Sequence, residues 1–187
     1  MEVYAWEEAI MTWARSLPHT GMLYEFFKFW SDQKESFPLL FLFALTLGIE
    51  FGWRKLLTPT VLSILAVICG DLFSRRVVKF FVERPRPNFV HDATCTMSKC
   101  WGFVSSHCTN VAAVAVVLCL YNKRNAIWTI PSVILVAISR IYLIDHYPLD
   151  VIGGVILGIL IGIAIYIGYL QYRVLKQKPI EVKAKAQ

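Results

Sequence analysis

Apolar positions along this chain fall into two regimes, an interrupted one over residues 1–36 and long runs thereafter. In the first, Val3, Trp6, Ile10, Trp13 and Leu17 recur every three or four residues, with Glu2, Glu7, Glu8 and Arg15 off that stripe. That spacing predicts an amphipathic helix with the charges on its polar face. Pro18, His19, Thr20 and Gly21 break it, and Met22, Leu23, Phe26, Phe27 and Trp30 form a second apolar face against Glu25, Lys28 and Asp32. Two aromatic-rich amphipathic helices suit a collar in a membrane interface. The alternative is packing of the same faces against the rest of the molecule.

Five runs long enough to cross a bilayer follow: about Phe37 to Trp53, Pro59 to Val82, Ser105 to Tyr121, Ala126 to Ile144, and Pro148 to Tyr172. A crossing needs roughly 20 apolar residues, and the first run is short. The predicted fold is an all-α integral membrane bundle of five transmembrane helices, with an amphipathic N-terminal helical region. A sixth crossing by residues 1–36 would reverse the N-terminus and leave the remainder in place. Gly154, Gly158 and Gly162 stand at every fourth position of the last run, a small-residue stripe that lets a neighbouring helix approach closely.

Composition agrees with this reading. Hydrophobic residues make up 57% and charged residues 17% of 187, and the mean hydropathy is +0.55. Soluble domains carry about 25% charged residues, so a soluble enzyme, a disordered tail and a nucleic-acid arm are all poor descriptions. The net charge of +6 has to be judged by its placement. Arg54, Lys55, Lys123, Arg124, Arg173, Lys176, Lys178, Lys183 and Lys185 fall on one side of a five-span topology. By the positive-inside rule that side is cytoplasmic. Residues 173–187 are then a basic cytoplasmic tail, while residues 1–36, 83–104 and 145–147 face outward. The first residues carry Glu2, Glu7 and Glu8 where a signal peptide would carry Lys or Arg.

Of five cysteines, Cys69, Cys108 and Cys119 sit in or beside apolar runs as small hydrophobes. Cys95 and Cys100 share an outward loop, where a disulfide is one reading. Zinc held by His91, Cys95, Cys100, His107 and Cys108 is the other; Cys-x4-Cys is not a common zinc spacing, and no metal is expected.

Candidate chemistry collects at the outward ends of the runs. Asp71, Arg75 and Lys79 share one helix face at membrane depth, where ionisable residues line functional cavities or pair internally. Arg86 lies between Pro85 and Pro87, which hold it extended for bidentate contact with phosphate or for anchoring at lipid headgroups. Ser105, Ser106 and His107 open the third run, where a helix N-terminus offers unpaired N–H groups to an anion. Ser105 as a plain N-cap and His107 as packing are the simpler alternatives. Ser139 and Arg140 close the fourth run. His146 and Asp150 stand one turn apart at the start of the fifth, so the carboxylate can orient the ring or merely match the helix dipole. The five-span topology brings all of these to one face of the membrane.

Three stretches carry a resemblance. Lys79 through Arg86-Pro87, Val104-Ser105-Ser106-His107, and Ser139-Arg140 through His146 to Asp150 resemble the motifs of the type 2 phosphatidic acid phosphatase (PAP2) superfamily, shared with vanadium haloperoxidases. Those motifs are Lys-x6-Arg-Pro, Pro-Ser-Gly-His and Ser-Arg-x5-His-x3-Asp. The first and third match at every defining position; the second departs at Val104 and Ser106. Gly102 through His107 looks like small bacterial members, among them undecaprenyl diphosphate and lipid A 1-phosphatases. The resemblance implies a catalytic domain over residues 37–172. In it His146 is the nucleophile that becomes a phosphohistidine, Asp150 holds its ring, and His107 is the general acid and base. Lys79, Arg86, Ser105, Ser106 and Arg140 bind the phosphoryl group, with no cofactor. It implies a phosphatase of the bacterial inner membrane, its site facing the periplasm or exterior. Lipid A 1-phosphate and undecaprenyl diphosphate lead as substrates, then phosphatidylglycerol phosphate and phosphatidic acid. The bilayer and the lipid are the expected partners, and nucleic acid is not. A lipid phosphotransferase with the same site, a vanadate-loaded haloperoxidase and a non-catalytic lipid-binding or transport protein are the alternatives.

Overall fold

The computed structural model describes residues 2–31, 52–88 and 100–184. Among these residues every regular element is helical: α1 (Ala5–Ser16), α2 (Met22–Ser31), α3 (Trp53–Leu72), α4 (Ser106–Tyr121), α5 (Ala126–Tyr142) and α6 (Pro148–Ala184). α3 runs on through a π-helical stretch, Phe73–Val78, and a last α-helical turn, Lys79–Val82. The first expected span lies almost wholly outside the described residues, as do His91 and Cys95. Cys100 is disulfide-bonded, while Cys69, Cys108 and Cys119 are free thiols.

Among the described residues, three helical stretches are long and apolar enough to cross a membrane: Leu56–Val82, Lys123–Tyr142 and Pro148–Gln177. Their outer faces carry exposed Ile64, Leu65 and Ile68, then Ile130 and Ile134, then Ile156 and Ile163. Such a surface is stable against lipid, because a helix pairs nearly all of its backbone polar groups within itself. α3 begins at Trp53 and not at Pro59, and Pro59 lies inside it. A proline removes one backbone bond, which membrane helices accommodate without ending. α5 ends at Tyr142, two residues before the expected Ile144. α6 continues beyond Tyr172 into the basic tail, because no glycine or proline interrupts residues 169–178.

α4 is the central helix, packed against α3, α5 and α6. Its 16 residues span about 24 Å at 1.5 Å per residue, less than the ~30 Å hydrocarbon layer. Ala112, Ala113, Ala115 and Thr109 keep it slim and buried. The glycine stripe of α6 rests on it. A Cβ on Gly154 would stand 2.6 Å from the Ser105 carbonyl oxygen, and one on Gly162 would stand 2.7 Å from that of Ala113. Backbone-to-backbone contact of this kind needs glycine. Leu62, Ala66, Ala113, Val117 and Ile161 close the core between α3, α4 and α6.

The two N-terminal helices form as expected, and α1 turns its aromatic stripe away from the bundle, while its polar face is not left to water. Its buried residues are Glu7, Met11 and Ala14, whereas Trp6, Ile10 and Trp13 point outward, Trp13 with 62% of its surface exposed. Glu7, expected on the polar face, is wholly buried. α1 packs on α5 and α6, and α2 on α5. The physical reason is electrostatic: Glu7 meets a buried arginine, Arg84, at 2.6 Å, so its charge is compensated inside while the aromatic stripe is left for an apolar exterior.

Candidate active site

The C-terminal end of α3, the extended segments after it and before α4, the N-terminus of α4 and the loop after α5 surround a cavity of about 540 Å³. Lys79, Arg86, Ser106, His107 and His146 line it. Each is placed by a local feature of the chain. α3 stops at Val82 because Glu83 takes a left-handed conformation, φ 47°. The extended Arg84–Pro87 stretch then pairs with the segment before α4. The Arg86 N–H donates to the Cys100 carbonyl and the Gly102 N–H to the Arg84 carbonyl, both at 2.7 Å. Arg86 Nε also reaches the Trp101 carbonyl at 3.4 Å. The flanking prolines leave little freedom, so the guanidinium is aimed before any ligand arrives.

Ser105 occupies the N-cap position of α4 but makes no side-chain cap. It is fully buried, its N–H donates to the Asp150 carbonyl at 3.0 Å, and its Oγ has no oxygen or nitrogen partner among the described residues. A buried hydroxyl beside a helix N-terminus is suited to an oxyanion. Ser106 is buried in the next position and receives a hydrogen bond from Ser74 Oγ at 2.9 Å. The π-helical stretch that carries Ser74 widens the end of α3, a distortion frequent at functional sites, and sets Arg75 and Arg76 on the cavity wall.

Arg140 closes α5. Its Nη2 donates to Asp145 Oδ2 at 2.6 Å and to Ser31 Oγ at the end of α2. Its carbonyl accepts the Asp145 and His146 N–H groups at 3.1 and 3.2 Å. This tight turn delivers His146 to the cavity, and Pro148 opens α6. His146 Nδ1 lies 3.5 Å from Asp150 Oδ2. That separation exceeds an ordinary hydrogen bond, and such pairs often tighten only with substrate bound. Asp150 is itself anchored: Oδ1 accepts from Arg84 at 2.8 Å and Oδ2 from the Tyr147 N–H at 3.0 Å. Gly102 is required beside it, since a Cβ there would stand 2.6 Å from Asp150 Oδ2.

Burial, then the positive charges of Arg86, Lys79 and Arg140, push His146 well below the usual histidine range. A neutral ring in a cationic cavity is a nucleophile with an available lone pair. Arg86 is also lowered, chiefly by burial.

A superfamily pattern matches residues 60–173, which hold Lys79, Arg86, Ser105, Ser106, His107, Arg140, His146 and Asp150. The chain belongs to the PAP2 superfamily. Its PAP2 relatives include the lipid A 4'-phosphatase of Porphyromonas gingivalis, 32% identical over 119 residues, 59% of this chain and 50% of that one. The phosphatidylglycerophosphatase B of Bacillus subtilis is 34% identical over 125 residues, 59% of this chain and 58% of that one. The chain thus spans little more than half the length of these curated relatives. Among crystal structures, Aquifex aeolicus LpxE superposes with a TM-score of 0.65 at 25% identity, covering 89% of this chain and 98% of that one. The PAP2-type phosphatidylglycerolphosphate phosphatase of Bacillus subtilis shares the fold, with a TM-score of 0.64 at 24% identity over 90% and 86% of the two chains.

Within this PAP2 domain the structure brings Lys79, Arg86, Ser106, His107 and His146 to one cavity, with Ser105, Arg140 and Asp150 buried behind it. Asp71, expected to pair with Arg75, does so at 3.4 Å and also accepts from Asn110 Nδ2 at 2.9 Å. The motifs did not point to Arg84, Glu7, Gly102, Asp145 or Ser31. Arg84 was visible as the first arginine of Arg84-Pro85-Arg86-Pro87, and Asp145 as the residue before His146. Glu7 and Ser31 carried no signal, being more than 70 and 100 residues from their partners.

Proposed function

We propose that this membrane protein is a lipid phosphatase that works through a phosphohistidine on His146. The observation that carries the reading is a buried histidine, backed by a carboxylate, at the wall of a cavity lined by cations. In the reaction, the His146 lone pair attacks phosphorus and the bond to the lipid oxygen breaks. His107 donates its proton to that oxygen. Lys79, Arg86 and Arg140, with Ser105 and the Ser106 N–H, hold the phosphoryl oxygens where negative charge builds. Such charge stabilisation is the main demand of phosphoryl transfer. Asp150 stabilises the cationic ring. Neutral His107 then takes a proton from water, the water oxygen bonds phosphorus, and the P–N bond breaks to release inorganic phosphate. The cations supply the charge that a metal would otherwise bring, so turnover proceeds in EDTA.

The substrate in this reading is a lipid phosphate or diphosphate of the bacterial inner membrane, dephosphorylated at the periplasmic face. Its headgroup enters the cavity from the bilayer, and α1 lies in the interface with Trp6 and Trp13 toward the lipid. Arg75 and Arg76 favour substrates with a second phosphate, such as undecaprenyl diphosphate or a bisphosphorylated lipid A, because they extend the cationic wall beyond the phosphoryl cradle.

The test is phosphate release by purified protein in EDTA from undecaprenyl diphosphate, lipid A, phosphatidylglycerol phosphate and phosphatidic acid. Wild type releases phosphate and His146→Ala does not. Arg75→Ala/Arg76→Ala lowers kcat/KM for substrates with a second phosphate about tenfold more than for phosphatidic acid, the loss of one charge-assisted contact. Equal rates for wild type and His146→Ala defeat the mechanism. Equal losses on all four lipids defeat the second-phosphate reading.

A further inference from the structure

Arg84 takes no part in the scheme above, yet it is among the most buried side chains of the molecule. It lies between two carboxylates. Nη2 meets Glu7 Oε2 at 2.6 Å and Nη1 meets Asp150 Oδ1 at 2.8 Å, with all three side chains at 0% exposure. The guanidinium also stacks 4.8 Å from the centre of the Tyr147 ring. Glu7 is held as firmly as Arg84. Its Oε1 accepts the Leu149 N–H at 3.1 Å, in the first turn of α6 and one residue before Asp150, and its Oε2 accepts the Tyr4 N–H at 3.1 Å. Among the described residues, neither Glu7 nor Arg84 lines the cavity.

We propose that Glu7, carried in by the N-terminal helix, is a positioning residue of the phosphoryl-transfer site, acting through Arg84 to leave Asp150 a net negative charge toward His146. The inference rests on the phosphatase reading above. Arg84 with Asp150 alone is a neutral pair, and a neutral pair holds a cationic imidazole ring poorly at low dielectric. Glu7 makes the cluster two carboxylates to one guanidinium, one negative charge in sum. Oδ2 of Asp150, on the side away from Arg84, is the oxygen that faces His146. A structural tie between α1 and α6 does not call for three buried charges, since apolar residues of similar volume serve that purpose at lower desolvation cost. Phosphate binding does not call for them either, because a carboxylate repels phosphate. The arrangement makes the N-terminal helix part of the active site, although it lies outside the matched superfamily region, residues 60–173.

The test uses the full-length protein in detergent micelles with a short-chain phosphatidic acid, beside wild type and His146→Ala. Glu7→Gln keeps the shape and removes the charge; kcat falls about 10- to 100-fold while KM stays within about twofold, the mark of an interaction made in the transition state. Glu7→Met/Arg84→Met removes both charges and leaves Asp150 alone with one negative charge; kcat recovers to within about tenfold of wild type. A structural role predicts the opposite order, with the double variant the worse. Thermal midpoints are measured in parallel. If Glu7→Gln gives no folded protein, the double variant decides alone: activity within tenfold supports charge balance, and inactivity in a folded double variant overturns it. Wild-type kcat in Glu7→Gln also overturns it. Inactivity of wild type on all four lipids above would instead defeat the phosphatase reading, while active wild type, inactive His146→Ala and unaffected Glu7→Gln defeat the positioning role alone.

Discussion

His146 is held in a place that opposes its protonation. The ring is almost wholly buried, with three cations around it and one carboxylate behind. Its folded-state pKa lies well below the ordinary value of 6.5, chiefly through burial. The unfolded chain therefore binds a proton below pH 6.5 that the folded chain refuses, and stability falls as pH drops through that range. Thermal midpoints in detergent should decline from pH 7 to pH 5, and His146→Gln should flatten that decline. An identical slope in both proteins would show that His146 is solvated and protonated normally. The motif residues were legible as residues because the chain itself sets their spacing: Lys79 to Arg86 across one helix end, His146 to Asp150 across one turn. Glu7 was not legible. Its charge and its place off the aromatic stripe both pointed to water. Burial was decided by a partner 77 residues away, and no local pattern encodes that distance.

At the scale of elements, the contact between α4 and α6 governs the site, because it sets Ser105 and His107 against His146 and Asp150. The glycine stripe of α6 allowed that contact to be expected, and its partner helix is α4. Gly158→Leu drives a side chain into Thr109 and Ala112, whereas a Cβ added at Gly168 meets nothing within 4 Å, leaving room for Gly168→Leu. Overpacking of this kind costs roughly 1–3 kcal/mol, and a shift of about 1 Å at the site can cost 10²-fold in rate. Gly158→Leu should thus lower both the thermal midpoint and kcat, and Gly168→Leu neither; equal behaviour of the two would remove the α4–α6 contact from the account. Helix existence followed from apolar runs, but helix ends did not. The apolar run suggested a start at Pro59, whereas α3 begins at Trp53 with that proline inside it, as membrane helices tolerate. The aromatic stripe of α1 does not pack on the bundle, and only the burial of Glu7 departs from the expected polar face, since amphipathicity fixes which residues share a side and leaves open which of the polar ones meet protein.

For the whole molecule, the arrangement is a slim central helix caged by longer apolar ones, with polar chemistry confined to one end. Lys123, Arg124, Arg173 and Lys176 belong to the opposite end of the same helices. That asymmetry predicts a cytoplasmic C-terminus. A fluorescent protein that matures only in the cytoplasm should glow when fused after Gln187, and a fusion active only in the periplasm should be silent; the reverse pattern would invert the topology. Membrane class and helical architecture are one-dimensional properties, carried by run length and periodicity, so the linear order of residues suffices for them. The motif chemistry is nearly as local, because each motif lies within a single helix end or turn. The cavity between Arg75, Arg86, His107 and His146, and the chain of charge from Glu7 through Arg84 to Asp150, exist only after distant helices pack. Their energies depend on burial and on mutual distance, and a sequence specifies those only through the fold it adopts.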